Sequence, residues 1–409
     1  MYKGIQYLRN KLALKKTWVT DRYDYYEMNR QTPDPSPVIP TRLQWIYNSK
    51  LGWCTKAVDS LANRLNFDGF ENDTFNLWEM FKVNNPDVLF DSAIKSALIS
   101  ACCFVYISAD DDGYPRMQVI DGKRATGIID PITNLLTEGY AVLDQDDNGN
   151  PLLEAYFTAE ETAYIDAEGN EYSIPNNAGY PLLVPIIYRP TANKPFGQSR
   201  ISADMMDLQD KARHTITRAE VTAEFYSFPQ KYVVGTSEDS DGLDTWKATI
   251  SSFLEFTKDG DGDKPTLGQF QQGSVEPHIS QFEWYAKTFA GITSLTIDDL
   301  GFVSDNPSSA EAIKAGHAEM EHLAVKAQAT FGTGFLNTGF VAACLRDNTQ
   351  YKRKQIYETK PVWKPIFALD NSAVSSFGDG VIKINQAVPN AITPKVIKRV
   401  TGLPIEIDE

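Results

Sequence analysis

An alternating series of acidic and amide residues beginning at Asp144 has the spacing of a calcium-binding loop. Asp144, Asp146 and Asn148 occupy the first, third and fifth positions of such a loop, and Gly149 stands at the sixth, where the loop turns sharply. The twelfth position requires a bidentate glutamate, and here it is Ala155. The incomplete ligand set favours a β-hairpin turn over a calcium site.

Two further patterns fail as metal sites for comparable reasons. A second alternating series contains three aspartates: Asp259, Asp261 and Asp263. Lys264 stands where that loop needs glycine, so a solvated loop tip is the favoured interpretation. A zinc-protease helix places two histidines four residues apart, with glutamate directly after the first. His317 and His322 are five apart, which turns the second imidazole away from the first.

The sequence also lacks the common catalytic motifs. GxSxG, P-loop and GxGxxG patterns are absent. Because the chain holds 54 acidic residues, no carboxylate pair can be singled out as the acid and nucleophile of a glycosidase. A carbohydrate-active hydrolase with exposed aromatic side chains such as Trp78 or Trp246 is the strongest enzymatic alternative, although a core role is favoured for both. We therefore predict no catalytic residue, no cofactor and no enzymatic activity.

Composition limits the class of protein. With 409 residues and 42% hydrophobic content the chain can bury more than one core, and about two to four substructures are expected. Its formal net charge is −15, so the chain should on average repel nucleic-acid phosphates. No window approaches the roughly 18 apolar residues of a membrane span, and the N-terminus lacks a signal-peptide apolar region. We expect a protein of the cytosol, or of a particle assembled there.

Cysteine usage points to buried thiols. The chain contains four cysteines: Cys54, Cys102, Cys103 and Cys344. They are too few for a disulfide framework in a chain of this length. Cys102 and Cys103 lie in an apolar run typical of a buried strand, where neighbouring side chains point to opposite faces, so a shared metal is disfavoured. Free, reduced thiols are predicted.

The first half of the chain combines helices with hairpins. Apolar residues recur at three- and four-residue spacing over 51–66, which predicts a helix, and a second helix is predicted over 86–99. From Cys102 to Tyr188 short strand-like runs alternate with turn signals. The predicted turns are Asp112-Gly113, Asn148-Gly149 and Glu168-Gly169-Asn170. An α+β unit built on antiparallel hairpins is therefore expected.

A long amphipathic helix is predicted from Ser199 to Tyr226. Its apolar positions form a stripe along a helix of about 40 Å, which needs an equally long partner surface. The positions predicted to contact a partner are Ile201, Met205, Leu208, Ala212 and Ile216. A neighbouring copy of the chain in a ring could supply the partner surface, and an intramolecular core would explain the stripe equally well.

The helix is followed by an excursion and a second helix. Residues 228–278 begin with a strand-like run and include a polar loop, and apolar residues from Ile279 predict a returning helix. That helix ends at an acidic break, Asp298-Asp299-Leu300-Gly301. A long third helix is predicted from Ser308, which can cap it while Glu311 bonds back to the cap backbone, and it should continue past Gly332 and Gly334.

The order of these segments resembles portal proteins of tailed bacteriophages, closest to the Gp6-like portal group of siphoviruses. The resemblance covers most of the chain, and no single motif carries it. Segments that resemble the family pattern are Asn48–Leu65 with Gly69-Phe70, Cys102–Gly113, Val184–Tyr188 with Gly197-Gln198-Ser199, Ser309–Ile313, Pro361–Pro365 and Gly378–Lys383.

The resemblance implies an α+β portal-like protomer with a mixed α/β wing, long stem helices, a small α/β clip and a short C-terminal helical part. The implied divisions are wing 1–195, first stem helix 196–227, clip 228–278, second stem helix 279–300, tunnel loop 301–307, long helix 308–346, and wing completion with a short crown 347–409. Because the sequence stops at Glu409, a large crown is not expected.

The implied function is a ring, usually dodecameric, at one capsid vertex, through which DNA is packaged and ejected and to which the tail is joined. Implied partners are further copies of the chain, the terminase large subunit, a head-tail adaptor, major capsid and scaffolding proteins, and double-stranded DNA passing without sequence specificity. The implied location is the virion. The alternatives are another phage head structural or adaptor protein and, less favoured, the hydrolase.

The resemblance also assigns two sets of site residues. The tunnel loop, which would face the DNA channel, contains Gly301, Phe302, Val303, Ser304, Asp305 and Asn306. The aspartates at the clip tip, which would dock the motor and the adaptor, are Asp259, Asp261 and Asp263. The tunnel loop has no lysine or arginine, so we expect DNA to slide past it without being gripped.

Overall fold

The computed structural model describes residues 2–29, 46–227, 231–234, 266–269, 273–302, 315–367 and 371–402. They fall into two compact units. The first unit takes the described residues within 1–30, 52–206 and 293–409, and the second takes those within 31–51 and 207–292. Mixed helix and antiparallel sheet make up the described chain, as the sequence predicted.

Two antiparallel sheets form most of the described β part of the first unit. The five-stranded sheet has its strands in sequence order, from β4 to β8, and the three-stranded sheet has the order β3-β2-β9. The bounds of these strands are β2 Cys102–Ala109, β3 Pro115–Ile120, β4 Ala125–Ile129, β5 Leu136–Gln145, β6 Pro151–Phe157, β7 Glu161–Asp166, β8 Glu171–Pro175 and β9 Leu183–Ile187. The prediction of hairpins between 102 and 188 is confirmed.

All three predicted turns connect neighbouring strands. Gly113, Gly149 and Gly169 adopt left-handed φ angles of 79°, 80° and 86°. Each donates its N–H to the carbonyl of an aspartate three residues earlier, at 3.0, 2.9 and 3.1 Å. Glycine enters this conformation without the steric cost of a side chain, which is why these dipeptides give a strong local signal.

Among the described residues, four helices accompany these sheets in the N-terminal half of the chain. Their bounds are α1 Ile5–Tyr26, α2 Trp53–Ala62, α3 Leu77–Val83 and α4 Pro86–Ser100. The helices predicted at 51–66 and 86–99 are α2 and α4, and α2 is shorter at both ends than its apolar pattern suggested. Pro86 occupies the first turn of α4, where its missing N–H costs no helical hydrogen bond.

The first helix, α1, was not predicted, and a distant carboxylate holds its start. Glu138 in β5 is 2% exposed and accepts hydrogen bonds from the backbone N–H groups of Lys3 and Gly4, at 2.8 and 3.1 Å. The Tyr156 hydroxyl donates to the same carboxylate at 2.8 Å. A negative charge at a helix N-terminus is stabilised by the unpaired amides there.

A cluster of aromatic rings lies beneath a two-stranded sheet. Strand β1, Phe67–Glu71, pairs antiparallel with β12, Lys360–Trp363, so the C-terminal part of the chain returns to the first unit. Phe67 contacts Phe90, Phe335 and Trp363 with ring centroids 4.6–5.2 Å apart. Trp78 stacks on Phe90, 6.1 Å away and inclined by 5°. Trp78 is therefore half-buried against this aromatic cluster, which agrees with the apolar packing role favoured for it, while Trp246 lies outside the described residues.

A long helix, Ala318–Arg346, crosses the first unit. The sequence predicted that it would continue past Gly332 and Gly334, and it does. Gly334 lies against β9, where an added Cβ would come within 2.9 Å of Ile186 Cδ1. A larger residue would hold helix and sheet apart, so the packing explains why a weak helix former stands at this position. The predicted start at Ser308 and the cap pair with Glu311 lie outside the described residues.

The second unit holds most of two further helices and a strand pair. Helix α5 spans Ala203–Ser227 and helix α6 spans Glu276–Thr293. Between them, β10 Lys231–Val234 pairs antiparallel with β11 Thr266–Gln269. The prediction that the second helix spans 279–300 was wrong at its end, since Ser294 adopts a left-handed φ of 57° and stops the helix. A separate 3-10 turn follows at Asp298–Leu300.

The C-terminal part is helical, as predicted. In chain order, α7 is the long helix Ala318–Arg346, α8 spans Asn371–Ala387 and α9 spans Pro394–Thr401. Gly402 ends α9 with a left-handed φ of 68°. Thr393 holds the N-cap position of α9, but its side chain makes no cap hydrogen bond. No helix within the described residues has the length and apolar character needed to cross a bilayer.

Candidate functional site

The chain enters α5 through a segment bound to the end of α4. The Ser199 hydroxyl donates to the Ile99 carbonyl at 2.6 Å, and the Arg200 N–H donates to the Leu98 carbonyl at 2.7 Å. These carbonyls belong to the last turn of α4 and have no partner within their own helix. The prediction that the helix begins at Ser199 was therefore wrong. Helix α5 starts at Ala203, because Ser199 and Arg200 satisfy another helix first.

Gly197 fixes the path of this entry segment. It has a left-handed φ of 79°, and the next residue, Gln198, donates its N–H to the Tyr188 carbonyl at 3.0 Å. An added Cβ at Gly197 would overlap that carbonyl oxygen and lie 3.0 Å from the Ala101 carbonyl oxygen. Two backbone segments thus approach Gly197 more closely than any side chain allows.

Arg200 joins the start of α5 to the end of α6. Its side chain is 6% exposed, and Nη2 donates to the carbonyl of Thr293, the last residue of α6. Nε lies 3.5 Å from the Ala57 carbonyl oxygen. Burial lowers the pKa of Arg200 from its ordinary value, yet a guanidinium stays charged in proteins. A cation at a helix C-terminus is favoured by the partial negative charge there.

The predicted stripe on α5 is only partly covered within one chain. Ile201 and Ala212 are fully buried and Met205 is 2% exposed, whereas Leu208 and Ile216 are half-buried. The covered face also includes polar residues that the apolar pattern did not reveal, namely Gln209, Arg213, Thr215 and Thr217. An intramolecular core therefore accounts for part of the stripe and leaves apolar surface at Leu208 and Ile216.

Polar contacts within the second unit support α5. The Thr217 hydroxyl donates to Ser49 Oγ at 3.2 Å, and Ser49 in turn donates to Glu220 Oε2 at 3.0 Å. Nearer its end, the Thr222 hydroxyl lies 3.3 Å from His278 Nε2 near the start of α6. The C-terminal end of α5 is thus adjacent to the N-terminal end of α6, so the two helices lie beside each other in opposite directions.

A hydrogen-bonded 3-10 turn precedes the predicted tunnel loop. Asp299 Oδ2 accepts hydrogen bonds from the Thr296 backbone N–H and hydroxyl, at 3.0 and 2.9 Å, and the Asp299 N–H donates to the Thr296 hydroxyl at 3.2 Å. Gly301 ends the turn with a left-handed φ of 91°. The predicted acidic break is thus an ordered element that fixes where the loop begins.

The charge of Asp299 is stabilised in this position. Burial would raise the pKa of its carboxyl, but the hydrogen bonds from Thr296 and the nearby charges of His317 and Lys56 outweigh that effect. The pKa of Asp299 therefore lies below its ordinary value. His317, which occupies the N-cap position of α7, has its Nδ1 4.0 Å from Asp299 Oδ2.

The residues whose spacing resembles a metal site have other roles in the parts of the chain that the structure describes. Asp146 is the turn residue of the β5–β6 hairpin and accepts hydrogen bonds from the Asn150 side chain and from the N–H groups of Asn148 and Asn150. These bonds lower the pKa of its carboxyl. His317 Nδ1 lies 4.0 Å from Asp299 Oδ2, and no group of three potential metal ligands occurs among the described residues. The hairpin interpretation at Asp144–Gly149 is confirmed.

The four cysteines are free and buried, as predicted. Burial raises the pKa of the Cys103 thiol well above its ordinary value and that of Cys344 to about 11. The protonated thiol is a weak nucleophile, so neither residue suits covalent catalysis.

Comparison of the sequence with models of known protein families shows to which family the chain belongs. The sequence matches the family model of the phage portal protein, SPP1 Gp6-like, over residues 8–381. The chain belongs to this portal family. The three- and five-stranded sheets, the helix pair, most of α1 and the start of α8 lie within the matched range.

Two curated relatives of this portal-family chain are portal proteins of mycobacteriophages. The one from Mycobacterium phage L5 is 25% identical over 320 residues, which cover 72% of this chain and 65% of the relative. The one from Mycobacterium phage D29 is 25% identical over 332 residues, which cover 75% and 67%. The chain thus spans about two thirds of the length of these relatives.

Two solved structures of gene transfer agent (GTA) particles also resemble the chain. A chain of the native GTA virion is 14% identical, with a TM-score of 0.49 over 93% of this chain and 98% of that one. A chain of the native GTA neck, computed with C12 symmetry, is 14% identical, with a TM-score of 0.47 over 94% and 99%.

The structure describes some of the site residues predicted for this portal-family chain and leaves others outside the described ranges. The structure describes all five stem positions, together with Gly301 and Phe302 of the tunnel loop. Val303, Ser304, Asp305, Asn306 and the three clip aspartates, Asp259, Asp261 and Asp263, lie outside the described residues. Sequence reasoning missed Arg200 and the Asp299–His317 pair. No local signal marks them, because their partners are distant in sequence or lie across the loop.

Proposed function

We propose that this chain is a portal protein that forms a ring at one capsid vertex, serves DNA packaging and ejection, and joins head to tail. The observation that carries the proposal is the match to the portal family over residues 8–381. Copies of the chain would form the ring, a dodecamer as the family resemblance implies. The terminase large subunit, the head-tail adaptor and the capsid and scaffolding proteins would be its partners in the virion.

The described elements fit the divisions expected of such a protomer. Helices α5 and α6 would be the stem, since they lie side by side in opposite directions and Arg200 ties the start of one to the end of the other. Strand β10 would lie at the beginning of the clip, 228–278, and its partner β11 near the end of the clip. The sheets of 1–195, completed by β12, would form the wing.

The role proposed for the chain is structural rather than enzymatic. Two observations support it: the buried thiols have raised pKa values, and the metal-like hairpin at Asp146 is occupied by its own turn hydrogen bonds. The family match favours a portal over another head component or an adaptor. The polar clip tip at Asp259, Asp261 and Asp263 would dock the motor and then the adaptor.

Changing Leu208 and Ile216 together to aspartate should prevent ring assembly. Both side chains keep some exposed surface within one chain, so a carboxylate there can still reach water in the protomer and would lose that access when a second copy covers it. We expect the helical circular dichroism of the protomer to be kept, while ring particles disappear from mass photometry and negative-stain images.

The control is Ala203→Asp, which adds one aspartate at an exposed position at the start of α5. It should assemble as the parent does, because an acidic residue in the first turn of a helix is stabilising. Rings of normal symmetry and yield from the double aspartate variant would rule out the stripe as the ring contact.

Changing Ser304 and Asp305 to lysine should slow DNA passage. We expect the parent loop, which has no basic residue, to repel phosphates, while each added lysine would create a phosphate contact. In a packaging assay with assembled rings, translocation should slow at low salt and recover as salt rises. The control is the double change to glutamine, which keeps side chains of similar length without charge. Equal rates for lysine and glutamine variants at every salt concentration would show that this loop does not approach DNA.

A further inference from the structure

Helix α1 carries three large apolar side chains on its solvent side. Tyr7, Leu14 and Trp18 are all exposed, and Leu14 is 85% exposed. They are seven and four residues apart, so they lie in one row along the helix. At 1.5 Å per residue the row is about 16 Å long. We name Tyr7, Leu14 and Trp18 the α1 stripe.

The α1 stripe lies in a basic part of the chain. The first twenty residues contain five basic residues and no acidic residue. Two cations lie on the rings of the stripe itself: Lys3 Nζ is 4.6 Å from the centroid of the Tyr7 ring, and Arg22 Cζ is 3.7 Å from that of Trp18. Because the whole chain has a formal net charge of −15, this local positive surface is suited to an acidic partner surface.

Strand β8 exposes a second apolar surface. Every residue of the strand is exposed, and Tyr172 and Ile174 are two residues apart, so their side chains lie on the same face of the sheet. Tyr172 stacks on Tyr164 of β7, with ring centroids 5.1 Å apart and planes inclined by 15°. Among the described strands β8 pairs only with β7, so it is an edge strand. We name Glu171, Tyr172 and Ile174 the β8 edge.

The β8 edge is acidic, and its length matches that of the α1 stripe. Exposed glutamates surround it, namely Glu160, Glu161, Glu168 and Glu171. Residues 125–188, which include the whole five-stranded sheet, contain no lysine or arginine. The five residues of β8 extend about 16 Å, at about 3.3 Å per residue. The two surfaces are therefore alike in length and apolar character and opposite in charge.

One chain cannot bring its own two surfaces together. Leu8 and Leu12 of α1 pack around Tyr140 of β5, so the helix lies on one face of the five-stranded sheet. Tyr140 is in register with Ser173 of β8 through the two intervening strands. The neighbouring Tyr172 therefore points to the opposite face, at the far edge of the sheet. The α1 stripe can meet a β8 edge only on another copy of the chain.

We propose that the α1 stripe of each copy docks on the β8 edge of the next copy in the ring. The two surfaces differ, so the contact is head-to-tail and can repeat around a closed ring. A contact between two α1 stripes, or between two β8 edges, would oppose like charges and is disfavoured. The ring rests on the proposed function, whereas the docking of two copies involves no DNA.

Cysteine cross-linking of the purified full chain tests this docking. Leu14→Cys and Ile174→Cys place thiols at exposed positions, and the four native cysteines are buried. With a short bis-maleimide, the double variant should give a ladder of covalent multimers on a denaturing gel, because each copy carries one thiol for each of its two neighbours. The two single variants mixed together should stop at dimers, and each alone should stay monomeric.

The matched control combines Leu14→Cys with Val83→Cys, since Val83 is another exposed apolar residue of the first unit, on α3. This pair should give no ladder. A charge change tests the electrostatic match. Adding Glu171→Lys to the Leu14→Cys, Ile174→Cys variant should lower the ladder yield about fivefold at low salt, the upper range for an exposed ion pair. Adding Lys3→Glu as well should recover it, because the charges are then exchanged. Equal yields in all three proteins would overturn the proposal.

Mass photometry of the parent chain reports on the ring separately. Rings in the parent without a ladder from the double-cysteine variant would overturn the docking and leave the portal assignment intact. A ladder without closed rings would support the docking and count against the ring, and a monomeric parent without a ladder would overturn both. Linking of Leu14→Cys to itself would show a contact between two α1 stripes and overturn the proposal. So would slower maleimide labelling of Leu14→Cys when duplex DNA is added, since DNA would then cover the stripe.

Discussion

Gly197→Ala should destabilise the chain by about 3 kcal/mol or more, the sum of a left-handed backbone penalty and a forced displacement of packed atoms. The added Cβ would overlap the Tyr188 carbonyl oxygen, which already accepts a hydrogen bond from the Gln198 N–H. Backbone atoms cannot turn aside as a flexible side chain can. Urea unfolding followed by circular dichroism measures the loss.

Gly113→Ala separates the two contributions. Gly113 has the same φ of 79°, and nothing lies within 4 Å of its Cβ position. Its substitution should therefore cost only the backbone penalty, about 1–2 kcal/mol. Equal losses for the two variants would mean that the crowding at Gly197 relaxes freely, and the entry segment would then not be fixed by close packing.

Arg200→Met should cost about 2–3 kcal/mol of unfolding free energy, because the Thr293 carbonyl loses its charged donor at a buried helix end. Methionine keeps much of the side-chain volume, so the loss reports on hydrogen bonding and charge rather than on a cavity. We also expect faster amide exchange in the last turn of α6, since its hydrogen bond to the Arg200 side chain is then lost. The unfolding free energy and the exchange rates are the two measurements.

Two further variants calibrate this result. Arg116→Met makes the same change at a side chain that is 72% exposed, and it should stay within about 0.5 kcal/mol of the parent. Arg200→Lys keeps the charge but cannot reproduce the planar donor geometry, so an intermediate loss is expected. A loss for Arg200→Met no larger than that for Arg116→Met would show that the buried guanidinium does not hold the helices.

Much of the local structure follows from the sequence alone. The three turns at Gly113, Gly149 and Gly169 were predictable because only a few backbone angles and one short hydrogen bond decide each of them. The start of α4 at Pro86 and the buried strand at Cys102 followed from equally local signals. Family membership was also accessible, because the order of many weak segments carries it.

Other features depended on partners that are remote in sequence. Helix α5 begins at Ala203 and not at Ser199, because carbonyl groups near Leu98 take the intervening hydrogen-bond donors. In the sequence, Arg200 looks like an ordinary residue at a helix start. Its hydrogen bond to the Thr293 carbonyl forms only in the folded chain. Helix α1 carried no clear signal of its own, and Glu138 holds its start.

The physical reason for this division lies in the range of the interactions involved. Turn and cap preferences act within a few residues, so they can be inferred without knowing the fold. A buried donor or charge instead takes whichever partner the packing brings near, as the Arg200 side chain takes the Thr293 carbonyl. The sequence therefore determined the elements and the family, and the tertiary structure decided which residues join them.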